Sequence, residues 1–386
     1  MIFDQITYDV LGKSQIELKY KFQIMASSTD NKDSEHRVSF SGRVNDYRRK
    51  IMQQLTKNIG KSNAKKAVTL NSNSEIKKVL IIRPNHRLGN LLLITPLLQD
   101  VTETFPDCKI DILTKGNLAP FILENYKNID GYIVLPRKPF KQLITYVKVW
   151  LSVKFKTYDL VINAVKGSSS GKLLTSFSNA KYKVFDELEE DFVSKVPDSY
   201  HIAKNPVYNL RNYLSKTGLP KRDRPIPMLD MKLGSDEIDK GKSTLLELTK
   251  NTTKTICIYT FATGAKCYSK EWWDDFYKQL KSKFSEYNIV EILPIENVSQ
   301  IDFKAPAFYS KDLREIASVI ENTSLFIGGD CGIMHLAAAT KTPVIGLFSN
   351  SKIEKYKPYG NTNMAIDTDK SSIMEIIKAA ELAVQN

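Results

Sequence analysis

Residues 325–348, LFIGGDCGIMHLAAATKTPVIGLF, constrain the fold more than any other stretch of the chain. An apolar run ends at two glycines and Asp330, a small-residue helical pattern follows, and Pro343 opens a second apolar run. This order predicts a strand, a tight turn, a helix and a second strand. Glycines admit a ligand close to the backbone, and the free N–H groups at the start of a helix suit an anion such as pyrophosphate. The alternative is an ordinary β-α-β unit in which Asp330 caps the helix and His335 faces solvent.

Strand and helix patterns alternate along most of the chain, starting with the apolar run at 77–83 and starting again at 255–260. Such alternation predicts an α/β fold with parallel sheets, whose ligands bind beyond the carboxyl ends of the strands. The pattern weakens between residues 186 and 230, so we expect two doubly wound, Rossmann-like domains that face each other across a cleft. The predicted segments are an N-terminal extension at 1–76, a first domain at 77–225, a second domain at 226–370 and a closing C-terminal helix at 371–386.

The N-terminal extension differs in pattern from the rest of the chain. Apolar residues alternate with polar ones at 16–24 and again at 38–44, which predicts a hairpin with a long loop. Residues 43–66 then carry eight basic residues and one acidic residue, with apolar residues at helical spacing. A basic amphipathic helix of this kind suits an anionic bilayer surface, and the alternative is a solvated helix packed on the main body.

Two segments of the first domain have patterns of their own. The predicted helix at 143–156 mixes Tyr146, Trp150 and Phe155 with lysines, which is typical of a membrane interface or a site for an amphiphilic acceptor. A helix buried on one side gives the same pattern. Residues 166–171, KGSSSG, are predicted to form a flexible polar loop that could line the cleft, and they do not match the phosphate-binding P-loop pattern.

Composition bounds the class of protein. The 386 residues are 42% hydrophobic and 26% charged, enough for two globular domains, and no apolar run approaches the length of a membrane span. The N-terminus is acidic where a signal peptide would be basic, so we expect a cytoplasmic protein. The four cysteines are widely spaced, which predicts reduced thiols and no zinc site. The net charge of +13 favours an anionic partner, whether nucleic acid, an acidic membrane surface or a phosphorylated substrate.

Three blocks of the sequence resemble glycosyltransferase family 9, the ADP-heptose:lipopolysaccharide heptosyltransferases. Residues 83–98, RPNHRLGNLLLITPLL, are similar to the family's first loop and helix, where "GD" precedes an apolar run ending in "TP". Residues 266–273, KCYSKEWW, look like its "K-x-W-P-x-E" segment, with Tyr268 and Ser269 as departures. Residues 329–339, GDCGIMHLAAA, match its "D-[ST]-G-x-x-H-[LA]-A" block and are followed by PVIGLF and PYG.

The resemblance implies a GT-B fold with a nucleotide-sugar donor on the C-terminal domain and an acceptor on the N-terminal domain. It implies an inverting transferase that moves heptose or a related sugar from an ADP-sugar to a lipopolysaccharide core or another surface glycan. No cofactor and no metal ion are expected, and we interpret Asp367-Thr368-Asp369 as a loop. No nucleic-acid motif is recognised, so the basic charge is expected to face phosphorylated acceptor and anionic lipid at the inner face of the cytoplasmic membrane.

The resemblance also assigns candidate residues. Lys266 and a nearby hydroxyl, on a loop after a strand, suit diphosphate oxygens and the charge that develops on the leaving ADP. The arginines of the first loop suit an acceptor. The candidate donor-binding residues are Thr263, Lys266, Glu296, Asp330, Cys331, Gly332 and His335, and the candidate acceptor-binding residues are Arg83 and Arg87. Simpler interpretations are a solvated loop charge for Lys266 and the N-terminal acid of a helix for Glu296.

The candidate catalytic residues are Asn90 and His86. An inverting transfer needs a base for the acceptor hydroxyl, and the family places an Asp where this chain has Asn90. An amide orients a hydroxyl but does not accept its proton, whereas His86 on the same loop titrates near neutral pH. The alternatives are a solvent-facing His86, a donor-binding scaffold of low activity, and a nucleotide-sugar epimerase or hydrolase of GT-B fold.

Overall fold

The computed structural model describes residues 50, 51, 54, 56–59, 76–137, 142–185, 188–217, 224–349, 351–360 and 362–385. The chain divides into two compact units, residues 1–55 and residues 56–386. In the first unit, residues 50, 51 and 54 are helical. The predicted hairpin lies outside the described residues, as does most of the predicted basic helix. The second unit contains two parallel sheets with their helices.

The first sheet has five parallel strands in the order β3-β2-β1-β4-β5. Its strands are apolar runs, and the buried cores on the two faces of β1 include Ile81 and Leu80. The elements in chain order are β1 (Lys78–Ile82), α1 (Leu88–Leu92), α2 (Thr95–Thr104), β2 (Lys109–Lys115), α3 (Ala119–Ile122), β3 (Ile129–Leu135), α4 (Leu143–Phe155), β4 (Thr157–Asn163), α5 (Ser169–Phe177), β5 (Asn179–Val184), α6 (Glu190–Lys195) and α7 (Lys204–Lys216).

The second sheet has six parallel strands in the order β11-β10-β9-β6-β7-β8. The strand, turn, helix and strand predicted for residues 325–348 are β9, α11 and β10. The elements in chain order are α8 (Ser235–Thr249), β6 (Thr255–Tyr259), α9 (Lys270–Lys283), β7 (Asn288–Ile292), β8 (Ala307–Phe308), α10 (Leu313–Glu321), β9 (Leu325–Gly329), α11 (Gly332–Ala337), β10 (Val344–Phe348), α12 (Ile353–Tyr356), β11 (Met364–Asp367) and α13 (Ile373–Gln385).

Both sheets reverse their strand order next to their first strand. In the first sheet β2 and β3 extend to one side of β1 while β4 and β5 extend to the other, and in the second sheet β6 is flanked in the same way by β7 and β9. The loops after β1 and β4 therefore diverge to opposite faces, as do those after β6 and β9, and each pair leaves a crevice where ligands bind in such sheets. The predicted α/β fold with two doubly wound domains is confirmed.

The structure also corrects the sequence interpretation in several places. The segment 166–171, predicted as a flexible loop, contains the first turn of α5, which Ser168 caps by accepting a hydrogen bond from the Gly171 N–H. Helices α7 and α8 were not predicted. The proposed domain boundaries remain predictions, and the two sheets lie on either side of residue 225.

The segment that connects the two sheets is bonded to both halves. It has no helix or strand at residues 225–234. The Tyr126 hydroxyl donates to the Asp230 carbonyl from the first half, and the Met231 N–H donates to the Ala339 carbonyl of the second half. The buried Arg314 donates to the Met231 carbonyl as well. These bonds hold the connection along its length, so the two halves are tied to a common segment.

Candidate functional site

Lys266 and Asp330 meet at the crevice of the second sheet. Lys266 follows β6 and Asp330 follows β9, and these two strands are neighbours in the sheet. The Lys266 ammonium pairs with the Asp330 carboxylate. The carboxylate side chain is only 5% exposed, whereas that of Lys266 is 39% exposed. Lys266 is therefore not a solvated loop charge: Asp330 anchors it, and part of its side chain remains open to solvent.

The alternative interpretation, in which Asp330 caps the helix and His335 faces solvent, is wrong. Cys331, and not Asp330, occupies the N-cap position of α11, and Gly332 is the first helical residue. His335 is buried rather than facing solvent. Its Nε2 lies 4.0 Å from Asp330 Oδ1, too far for a hydrogen bond. Burial lowers the pKa of His335, so the ring is neutral near pH 7.

The Nδ1 atom of His335 is buried and has no hydrogen-bond partner within the described residues. Buried polar atoms are nearly always paired with protein, water or ligand. The atom therefore marks a polar position in this crevice, which favours a role for His335 beyond packing. Its ring lies between the turn that holds Asp330 and the Gly89 end of the first sheet's loop.

Two short helices bring the two halves together at this point. Helix α1 follows the first strand of the first sheet, and α11 follows β9 of the second. A Cβ built on Gly89 would lie 2.6 Å from His335 Cδ2, and one built on Gly332 would lie 3.2 Å from Leu88 Cβ. Each glycine therefore receives a side chain from the opposite helix. The loop with the candidate catalytic residues and the turn with the candidate donor residues are in direct contact.

Arg83 is buried beneath the first loop, with 1% of its surface exposed. Its side chain donates to the Ala164 carbonyl at 2.6 Å, to the Asn90 carbonyl at 3.0 Å and to Asn90 Oδ1 at 3.0 Å. Burial lowers its pKa to about 10, with a small opposing effect from Tyr356. These internal bonds make Arg83 a support for Asn90, and acceptor binding by Arg83 stays a prediction.

His86 is exposed and lies among cations. The pKa of His86 is lowered first by partial burial and then by Arg137, Lys115 and Arg87. These three basic residues lie at or just after the carboxyl ends of β3, β2 and β1 respectively. His86 is therefore a neutral imidazole near pH 7, on the edge of the sheet where ligands bind.

Thr263 and Glu296 lie on neighbouring loops of the second sheet. Thr263 is exposed directly before the short 3-10 turn Gly264–Lys266. Glu296 is exposed on the loop after β7, the strand beside β6. This loop forms turns and not a helix, so Glu296 is not a helix N-terminal acid. Both side chains are accessible at the sheet edge that carries Lys266.

Two tyrosines beside the site were not identified from the sequence. The Tyr356 ring on α12 lies 5.7 Å from the Lys266 ammonium. Tyr268, a departure from the family pattern, stacks on Trp272 with ring centroids 4.4 Å apart, and its hydroxyl lies 2.8 Å from Thr368 Oγ1. Neither lies in a spacing pattern that signals a site. The aromatic ring of Tyr356 is brought near Lys266 only by the fold.

Two cavities open along the connecting segment rather than at this crevice. One of about 760 Å³ is lined by residues that include Lys204, Tyr208 and Tyr359, and another of about 610 Å³ by residues that include Asp230 and Thr340. None of the candidate site residues lines either cavity. The candidate site residues lie instead on the loops and short helices after the strands of the two sheets.

Comparisons with known sequences agree with this arrangement. The family model described as glycosyltransferase family 9 (heptosyltransferase) matches residues 310–380, which include β9, the Asp330 turn and α11. The putative lipopolysaccharide heptosyltransferase 4 of Escherichia coli K12 is 22% identical over 307 residues, covering 73% of this chain and 77% of that protein. The lipopolysaccharide heptosyltransferase 3 of Escherichia coli is 22% identical over 298 residues, covering 71% and 84%.

Solved structures share the fold. The glycosyl transferase family 9 structure from Veillonella parvula DSM 2008 matches with a TM-score of 0.62 at 19% identity, covering 80% of this chain and 97% of that one. The Escherichia coli heptosyltransferase WaaC with ADP matches with a TM-score of 0.56 at 15% identity, covering 79% and 99%. The chain is thus similar in sequence to glycosyltransferase family 9 over residues 310–380, and it shares the two doubly wound domains of these solved structures.

Proposed function

We propose that the protein is an inverting, metal-independent glycosyltransferase that moves heptose or a related sugar from an ADP-sugar to a lipopolysaccharide core or another surface glycan. The observation that carries the proposal is the contact between α1 and α11. It joins the loop of His86 and Asn90 to the turn of Asp330 and His335. A transferase needs its acceptor and donor sites side by side, so that the reacting atoms approach within bonding distance.

The donor half of the proposal rests on charge and position. Lys266 lies at the crevice of the second sheet and can offset the charge that grows on a diphosphate leaving group, without a metal ion. Similar Escherichia coli structures were solved with ADP and with ADP-2-deoxy-2-fluoro heptose, which supports an ADP-sugar donor. Glu296 would accept hydrogen bonds from the ribose hydroxyls. Two exposed apolar residues on the same loop, Ile295 and Val298, would contact the adenine ring of the ADP-sugar.

The acceptor half rests on the cations around His86. Arg87 and Arg137, on the loops after β1 and β3, and Lys115, at the end of β2, all act electrostatically on this histidine. Such a group would hold a phosphate or carboxylate of an acidic glycan by charge-assisted hydrogen bonds. The names of the relatives include lipopolysaccharide, which supports an acceptor of this class. We assign the general base to His86, with Asn90 orienting the acceptor hydroxyl.

We further propose that the protein works in the cytoplasm, at the inner face of the membrane. Among the described residues no helix is both long enough and apolar enough to cross a bilayer. Cysteines Cys108, Cys257, Cys267 and Cys331 are all free, in keeping with a reducing compartment. The net charge of +13 would favour an anionic lipid surface.

The first experiment is calorimetric titration of the full-length protein with ADP, UDP and GDP. We expect selective binding of ADP, and about ten- to hundredfold weaker binding in Lys266→Ala, because a charge-assisted hydrogen bond is lost. Lys266→Arg keeps the charge and should retain most of the affinity. Lys270→Ala is the matched control, since Lys270 is an exposed lysine at the start of α9 and pairs with Asp302.

Binding of none of the three nucleotides by a folded sample would contradict the donor site. A transfer assay then follows, with ADP-heptose and lipopolysaccharide core acceptors, in the presence and absence of EDTA. We expect ADP release that depends on the acceptor, a product of inverted anomeric configuration, and no loss with EDTA. Donor turnover without acceptor would instead indicate the epimerase or hydrolase alternative. ADP binding without turnover would indicate the scaffold alternative, which the Arg83 bond to Asn90 Oδ1 favours.

A further inference from the structure

Helix α4 has two apolar faces, and only one of them is packed. Val153 is its only fully buried residue, and Tyr146, Val149 and Trp150 are partly buried against the first sheet. Trp150 also packs on Phe177 of α5, with ring centroids 5.6 Å apart. The aromatic rings Tyr146 and Trp150 thus face the protein, which corrects the prediction that they would line an interface with Phe155.

The opposite face is an apolar stripe that points away from the sheet. It consists of Ile144, Val147, Leu151 and Phe155, spaced three or four residues apart, so they lie on one side of the helix, with the outer two exposed and the middle two half-buried. The side chains of Ile144 and Phe155 are 75% and 79% exposed. A helix that is apolar on all sides is usually buried on all sides. The stripe therefore calls for an apolar environment outside this domain.

Lysines border the stripe on both sides. At 100° per residue, Lys148 falls along one edge and Lys154 along the other, and both are exposed. The Lys154 ammonium lies 5.3 Å from the Phe177 ring, and Lys154 contributes with burial to the lowered pKa of Lys183 on β5. Long lysine stems cover apolar surface while their charged ends remain in water.

The charge around the stripe is strongly one-sided. Residues 142–185, which include α4, β4, α5 and β5, contain seven lysines and a single acidic residue, Asp159. The Asp159 carboxylate accepts the backbone N–H groups of Lys77 and Lys78. A protein partner could match an apolar stripe, but an apolar stripe within a cationic field matches an anionic bilayer, which offers acyl chains beneath phosphate groups.

We propose that α4 is an interfacial helix that docks the protein on an anionic phospholipid surface, with the stripe of Ile144, Val147, Leu151 and Phe155 inserted between headgroups. This deepens the proposed membrane location by naming its surface. Vesicle binding is measured without donor or acceptor, so failure of the docking surface and failure of the transferase are separate results.

The test is flotation of the full-length protein with two kinds of vesicle, one of phosphatidylcholine alone and one of phosphatidylcholine with phosphatidylglycerol. We expect wild-type protein to float with the anionic vesicles only, and less at high salt. Ile144→Glu and Phe155→Glu should each lower the partition coefficient by about tenfold or more, because a charge would enter the apolar layer. Lys148→Gln and Lys154→Gln should each lower it by about fivefold.

Met374→Glu is the matched control, because Met374 is 74% exposed on α13 of the other sheet. It should bind as wild type does, and each variant is compared at an equal urea-unfolding midpoint, which reports folding independently of nucleotide binding. The proposal is overturned if wild type does not float with anionic vesicles, or if the α4 variants bind as well as Met374→Glu. It is also overturned if sedimentation without lipid shows a dimer that Ile144→Glu dissociates, because the stripe would then contact a second copy.

Discussion

Asn90 holds its side-chain oxygen toward the buried guanidinium of Arg83. The amide oxygen is thus occupied as an acceptor, and the Asn90 NH2 group is the part left to face a ligand. Such a group donates to a hydroxyl oxygen and leaves the proton of that hydroxyl for another acceptor. His86, whose pKa is lowered first by partial burial and then by its cationic neighbours, lies four residues before Asn90 on the same loop. In the proposed transfer reaction, orientation of the acceptor hydroxyl would fall to Asn90 and acceptance of its proton to His86.

The pH dependence of transfer tests this division. A base must be deprotonated, and the pKa of His86 is lowered from 6.5, so kcat/KM should hold at neutral pH and fall on the acid side with a midpoint below 6.5. His86→Gln should lose that acid limb and about two to four orders of magnitude in rate. An unchanged rate and profile in His86→Gln would contradict the assignment.

The double variant His86→Gln/Asn90→Asp provides the complementary result. A carboxylate at position 90 would pair with the Arg83 guanidinium and remain ionised well below its usual pKa. We therefore expect recovery of part of the lost rate, with the acid limb moved to lower pH. Steady-state kinetics of the single and double variants, at matched ADP affinity, measures both effects.

The sequence identifies which residues belong to the site better than it predicts their burial and their partners. Lys266, Asp330 and His335 were identified from spacing and family resemblance, and they lie together at one crevice. The burial of Arg83 was not predictable, because an arginine after a strand reads as a surface cation unless its carbonyl partners are known. Tyr356 was missed for a similar reason, since its approach to Lys266 depends on where α12 packs.

At the scale of elements, α11 is a helix with an unusual start. Cys331 occupies its N-cap with an extended backbone but makes no capping hydrogen bond, whereas the family pattern has Ser or Thr there. Burial raises the pKa of the Cys331 thiol to about 12, against the influence of the Met334 and Ile333 amides. The thiol is therefore protonated at neutral pH and is a poor acceptor for those N–H groups.

Cys331→Ser should stabilise the protein by about 1 kcal/mol, because a hydroxyl at the N-cap accepts a hydrogen bond from the first turn. Urea unfolding at neutral pH measures the difference. Cys257→Ser is the contrasting control: Cys257 is fully buried in β6, and a hydroxyl there should destabilise the protein. A loss of stability in both variants would contradict the capping argument.

Strands were easier to predict than helices in this fold. Buried parallel strands such as β1 and β9 are continuous apolar runs ended by glycine or a polar loop, which sequence shows directly. The first turn of helix α5 was interpreted as part of a loop because it is rich in serine, a residue that favours turns as well as caps. Helix α7 was not predicted because Pro206 lies within it, although proline fits the first turn of a helix.

At the scale of the whole molecule, a buried histidine joins the two halves. His201, just before α7, accepts the Ala203 N–H at Nδ1, and its Nε2 lies 2.8 Å from the Lys357 carbonyl beyond α12. Its ring packs edge-on against Tyr359, with centroids 5.0 Å apart. Burial lowers the pKa of His201 to about 4, so the ring is neutral at pH 7, with Nδ1 free to accept the Ala203 N–H and Nε2 facing the Lys357 carbonyl.

Stability should therefore decline in mild acid. The pKa of His201 is about 6.5 when unfolded and about 4 when folded, so between these values the unfolded chain binds more protons. The contribution of His201 is complete above pH 6.5, and about 2 to 3 kcal/mol of it is lost as the pH falls toward 4. His201→Gln, which can donate to the same carbonyl without titrating, should reduce that pH dependence in urea unfolding. An identical slope in variant and wild type would contradict this assignment, and the slope left in the variant belongs partly to His335.

The mutual fit of Gly89 with His335 and of Gly332 with Leu88 has a consequence for recombination between relatives. In many two-domain enzymes, specificity can be exchanged by splicing one domain onto another's partner. Here a protein spliced between the halves would take each glycine from one parent and the side chain that packs against it from the other. A chimera with mismatched parents would lose alignment of its two sites before either specificity was altered. For the proposed transferase, new combinations of sugar and acceptor should therefore arise by changes within each crevice, with α1 and α11 inherited together.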